Sequence, residues 1–164
     1  MNTIHVHDSL QSYTYELTEK EGNLASEFTP DLSPKQMLEL GVFGGHYFQG
    51  EHNEFPDEWF EHAKVSDIHD YHQNFFDVDA SQTRQEWEQK GWIYQDDPRG
   101  WFQWYCRYYL GRRLPDEDAR QIKRWKAMTR HIGQIKAKCQ PGDQLCHRKQ
   151  RQALLHWAYD SRKI

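Results

Sequence analysis

The string WFQWYCRYYLGRR, residues 101–113, places six aromatic residues in its first nine positions. Read as a helix, it is apolar on nearly every side, and such a helix is buried over most of its surface. One line breaks the pattern: Arg99, Gln103 and Arg107 recur at intervals of four and share a face. An unpaired guanidinium inside a protein is too costly to persist. Arg107 is therefore expected to be more than half buried and to meet a carboxylate from residues 1–98. Arg112 and Arg113 follow the helix end and are expected at the surface. Aromatics interleaved with arginine also occur where bases stack on protein surfaces, so a binding role stands beside the structural one.

Working outward, the charge is sorted along the chain. Residues 1–98 hold 5 Lys+Arg against 20 Asp+Glu, and residues 99–164 hold 16 against 5. The balances are −15 and +11, which sum to the net −4. Such asymmetry points to a polyanion-binding face, or to two halves that neutralise each other. The core material is also unusual, with 24 aromatic residues against 22 Leu, Ile and Val. Mean hydropathy is −1.07, yet a chain this aromatic does not have the composition of disorder. Its 164 residues fit one domain, 1–164, with an acidic, loop-rich and His-rich part (1–80) and a basic helical part (81–164).

No stretch approaches the ~20 apolar residues that span a bilayer, and MNTIHVHDSL lacks the character of a secretory signal. Three cysteines do not make a disulfide framework. A soluble cytoplasmic protein with reduced cysteines and no membrane association is the expectation.

Residues 1–30 read as weakly structured, with IHVH and YTYEL alternating in the strand manner, as a small hairpin or an arm. The first helix is expected over 33–40, with Ser33 as N-cap, Pro34 at N1 and Gly41 closing it. A second short helix fits 56–64, and a third 81–90. Asp97-Pro98 is expected to open the helix that Gly111 ends. Pro115 and the acids Asp116, Glu117 and Asp118 open a long helix to about residue 138, where the helix dipole favours them. QPGD (140–143) is a turn, and a last helix is expected over 144–159. The fold class is mainly α: a helical bundle over about 81–160, covered by an irregular N-terminal half with short helices and possibly a small hairpin.

In the long helix Ile122, Trp125, Met128, Thr129, Ile132, Ile135 and Cys139 fall on one arc. Arg120, Lys123, Arg124, Arg130, His131 and Lys138 fall on the other. With Arg112, Arg113, Arg148, Lys149 and Arg151 these form a cationic surface suited to DNA or RNA phosphates, unless acids of the first half cover it. Nucleic-acid binding through the basic C-terminal helices is the leading reading. The alternative is a small enzyme whose aromatic pocket lies between the N-terminal loops and helix 98–110, with His46, His52 and Arg107 as polar groups. A third reading is an interaction protein whose acidic half docks a basic protein partner.

Metal ligation is weakly indicated. His69 and His72 sit at i, i+3 among acids. Cys139, Cys146 and His147 flank the QPGD turn, but Cys-x6-Cys-His is not a standard zinc spacing. No metal and no cofactor are expected. Phosphate-loop, dinucleotide and nucleophile-elbow motifs are absent from the sequence.

Overall fold

The computed structural model describes residues 2–81 and 93–164, and the fold is mainly α with one antiparallel hairpin. Strands β1 (Asn2–His7) and β2 (Ser12–Leu17) pair in the register Ile4↔Tyr15 and Val6↔Tyr13. Alternation puts Val6 and Tyr15 on the buried face. The N-terminal segment is thus an ordered hairpin. Phe28, on the loop after it, is buried with its ring edge against Trp101, Tyr105, Tyr108 and Trp125.

Helix α1 (Pro34–Leu40) begins and ends where its local chemistry directs. Ser33 accepts from the Gln36 N–H while Gln36 Oε1 accepts from the Ser33 N–H, a reciprocal capping box. The expected helix over 56–64 is one 3-10 turn, Asp57–Trp59. Its aromatics do not form a stripe: Trp59 stacks on Phe55, Phe60 stacks on His52, and the Lys64 N–H leaves to bond the Leu38 carbonyl. The expected helix over 81–90 lies, beyond Ser81, outside the described residues.

Helix α2 (Trp101–Leu110) is the buried centre, with nine of its ten residues buried. It opens three residues after the expected Pro98, because Asp97–Gly100 closes a tight turn first. Gly111 ends it at φ 126°, donating to the Arg107 and Tyr108 carbonyls. The Gly111 carbonyl in turn accepts from Thr18 and Glu19, and a Cβ at Gly111 would lie 2.1 Å from the Glu19 oxygen. Only glycine fits that approach.

The long helix is two. Helix α3 (Pro115–Ala127) and helix α4 (Thr129–Lys138) meet at Met128, where the hydrogen bonds tighten to i→i+3. The Thr129 hydroxyl donates to the Lys126 carbonyl there, a local bond that competes with the regular ladder. Helix α5 (Arg148–His156) is shorter than expected, because residues 144–147 form a turn that ends with His147 in the left-handed region at φ 53°. That turn is closed by a Cys139–Cys146 disulfide, which corrects the expectation of reduced cysteines. Cys106 is free and buried, and burial pushes its thiol pKa well up. One apolar cluster joins both halves of the chain, from Phe28 to Tyr159. No described helix is long and apolar enough to cross a membrane.

Candidate functional site

Two groups of arginines surround α2, and they differ. The first is closed. Arg107 is fully buried and meets Glu54 and Asp97, each at 2.9 Å, as its helical position requires. Its fork also reaches the Asp96 carbonyl at 2.6 Å and Gln11 Oε1 at 2.8 Å. Arg112 corrects its expected exposure: it is buried and binds both oxygens of Asp97, at 2.7 and 2.6 Å. Tyr15 donates to Glu54 at 2.6 Å, and Tyr13 and Tyr15 lie beside both guanidinium groups. Two cations and two carboxylates thus balance. Burial alone would lower the Arg107 pKa, but Glu54 and Asp97 outweigh it and raise it. Arg99, nearby, binds Glu51 at 2.8 Å and lies 3.7 Å from Asp8. The acidic half therefore neutralises part of the basic half inside the fold.

The second group faces a cleft of about 490 Å³. Phe43, Tyr47, Trp101, Phe102 and Trp157 supply its aromatic wall. Arg124, Arg130, Lys149, His131 and His156 supply its basic groups, and no carboxylate lines it among the described residues. Arg124 on α3 and His131 on α4 both line it, on either side of the break at Met128. Arg124 lies 5.2 Å over the Trp157 ring and reaches Gln121 at 2.9 Å. Burial and the neighbouring Arg120 push its pKa down to about 10, so it stays charged at neutral pH.

Hydrogen bonds fix the state of both histidines. His156 Nε2 faces two donors, the Phe43 N–H at 3.2 Å and the Gln152 amide at 3.0 Å, so its proton resides on Nδ1. Burial, with His69 nearby, pushes its pKa down to about 3, and the ring is neutral. The Gln150 amide bonds His131 Nδ1 at 3.0 Å and also Gln134 Oε1, an acceptor, which orients that amide as donor. The His131 proton is then on Nε2, and burial and Arg130 lower its pKa. Both rings offer N–H donors. Ser81 Oγ, also in the lining, is buried with no partner among the described residues. The wall is rich in donors and poor in acceptors.

The remaining candidates divide. Arg151 is buried and bonds the Cys146, Ser161 and Ile164 carbonyls, so it faces no solvent. Arg113 stacks 3.7 Å over Tyr108 and donates to three backbone carbonyls. Arg120 is held bidentate by Glu117 at 2.7 and 2.8 Å. Lys123, Arg130, Arg148 and Lys149 are exposed. His46, bonded to the Ser66 carbonyl at 3.1 Å, and His52, stacked on Phe60, line a second cavity of about 520 Å³ that Arg107 does not reach. His69 packs on Gly44 and lies 3.9 Å from Asp79, whereas His72 bonds Asp77 at 2.6 Å, so the two do not share a carboxylate. Sequence reading missed Phe43, Ser81, Trp157 and His156. Trp157 beside His156 at the end of a basic helix was the available signal.

Comparison of the chain with models of known protein families, with curated proteins and with solved structures returns no significant match.

Proposed function

We propose that the cleft between the Phe43–Tyr47 loop, the start of α2 and helices α3–α5 binds a small anion that carries a flat ring. In this reading α2–α5 act as a small bundle with the cleft at its side. One observation carries the proposal: five aromatic side chains and a set of cations and N–H donors line one cavity, with no carboxylate among its described residues. The volume, about 490 Å³, is that of a small-molecule site. The rings offer stacking faces. Arg130 and Lys149 supply exposed charge beside the more buried Arg124. Lone-pair-rich groups such as carboxylate or phosphate complement a wall of donors.

Calorimetry with adenosine monophosphate, adenosine, benzoate, benzamide and inorganic phosphate tests this. The ring-bearing anions should bind at least tenfold more tightly than their neutral partners and than phosphate. No heat from any anion at millimolar concentration would remove the reading.

A second reading, nucleic-acid binding, has its own observation. Lys123, Lys126, Arg130, Lys136, Lys138, Arg148 and Lys149 are exposed along α3–α5 and lack ion pairs among the described residues. If these cations contact phosphates, log affinity for single-stranded oligonucleotides should fall with log salt by about 0.7 per phosphate. No binding at low salt would exclude it.

A further inference from the structure

We propose that Cys139, Cys146 and His147 form a redox-gated site for a thiophilic divalent cation of the zinc class. The ligand-capable atoms of these three residues lie within 4.8 Å of one another, the one such convergence of three groups among the described residues. In the structure the site is closed as a disulfide. A disulfide sulfur is not a thiolate ligand, so the cation enters only after reduction.

The reaction balances with a dithiol reductant. Its two thiols give two electrons and two protons to the Cys139–Cys146 bond and close into their own disulfide. The chain is left with two thiols. A divalent cation then takes both sulfurs as thiolates, releasing two protons, and takes a neutral His147 nitrogen as third ligand. The fourth position stays open to water, as in sites with three protein ligands.

The backbone holds the sulfurs near each other without the S–S bond. The Cys139 N–H bonds the Ile135 carbonyl at 2.8 Å, continuing α4. The Cys146 N–H bonds the Asp143 carbonyl, and the Cys146 carbonyl accepts from Arg151 Nε at 2.7 Å. Asp143 closes the intervening turn onto Gln140. None of these bonds involves a sulfur, so the hold that gathers two cysteines and an imidazole at one end of the α4–α5 pair does not rest on the S–S bond alone. Those helices also carry Arg130, His131, Lys149 and His156 to the cleft, and a bound cation would clamp them as the disulfide does. The proposal does not depend on what the cleft binds.

The test is cobalt substitution in protein reduced with a phosphine and desalted without oxygen. One Co²⁺ per chain should bind with a thiolate-to-cobalt charge-transfer band, and Zn²⁺ should displace it. Oxidised protein, Cys139→Ser and Cys146→Ser should show no band. His147→Asn keeps a residue that tolerates the left-handed backbone and removes the imidazole; it should bind at least tenfold more weakly, with unchanged circular dichroism. Absence of the band in reduced wild type, or equal affinity in His147→Asn, would overturn the proposal.

Discussion

Arg107 lies in the last turn of α2 with Arg112 just beyond it, and Arg124 and Arg130 lie on α3 and α4, and the two pairs have opposite surroundings. The first pair is enclosed by Asp97, Glu54, Tyr13 and Tyr15, with formal charge cancelled and every Arg107 nitrogen bonded, while Arg112 Nε alone of the two forks has no partner among the described residues. The second shares a cleft with aromatic rings and donors, and no carboxylate among the described lining residues. Arginine count does not tell a structural network from a binding surface. What separates them is whether acids from the first half of the chain reach the site. Glu54 and the Asp96–Asp97 turn bring acids to Arg107 and Arg112, and the hairpin adds Tyr13 and Tyr15, whereas the cleft receives Phe43 and Tyr47 from that half instead.

If the closed network is structural, breaking it should have the largest effect on stability. Asp97→Asn leaves Arg107 and Arg112 buried with only Glu54 as carboxylate partner. It should lower unfolding free energy by about 3–5 kcal/mol, read from urea melts. The double variant Arg107→Met with Glu54→Leu, which removes one cation and one anion together, should fold better than either single change. A single variant within 1 kcal/mol of wild type, by the same melts, would contradict the structural role.

His156 gives the next effect, on the cleft side. Its folded pKa, about 3, lies below the ordinary 6.5. The unfolded chain therefore binds the extra proton between these values, and the stabilising contribution, fully present above 6.5, is lost as pH falls. The loss should be about 1.4 kcal/mol per pH unit, or about 3 kcal/mol across two units below 6.5. Urea melts at stepped pH should show this slope in wild type and a shallower one in His156→Gln. Parallel slopes would place the histidine outside a buried neutral site.

The disulfide is expected to contribute slightly less. Cys139 and Cys146 are seven residues apart, and closing so short a loop stabilises by about 2–3 kcal/mol in the chain-entropy account. Reduction or Cys146→Ser should lower stability by that amount. EDTA should leave the melting temperature of the oxidised protein unchanged, because its structure relies on the covalent bridge.

What the sequence reveals and conceals follows from the range of the interactions. Ser33, Pro34 and Gly41 bound α1, and Gly111 ends α2, through contacts within a few residues, and these signals are legible. The burial and pairing of Arg107 were legible as well, because an aromatic helix leaves a cation no other place. Arg112 was misread: its partner Asp97 is 15 residues away, across a turn that cannot be seen in propensities. The break at Met128 was hidden because Met and Thr both tolerate a helix, and a hydroxyl bond decides it. The disulfide is not legible from three cysteines that make no framework, because it is the QPGD turn and Arg151 that bring the Cα atoms of Cys139 and Cys146 to 5.8 Å. The cleft draws Phe43, Trp101, Arg130 and Trp157 from segments far apart in the chain, and no local pattern joins them.

The smallest expected change in stability belongs to the open group, and it provides the most direct test of the account. Arg130→Gln with Lys149→Gln should shift the urea midpoint by no more than about 0.5 kcal/mol equivalent, since both side chains are exposed. The same variant should lose ligand. Tryptophan fluorescence, with Trp101 and Trp157 in the cleft wall, is followed during titration with adenosine monophosphate and, separately, benzoate. The account predicts a saturable change in wild type that weakens at least tenfold in the double variant while stability holds. No saturable change in wild type, or an equal affinity in the variant, would contradict it.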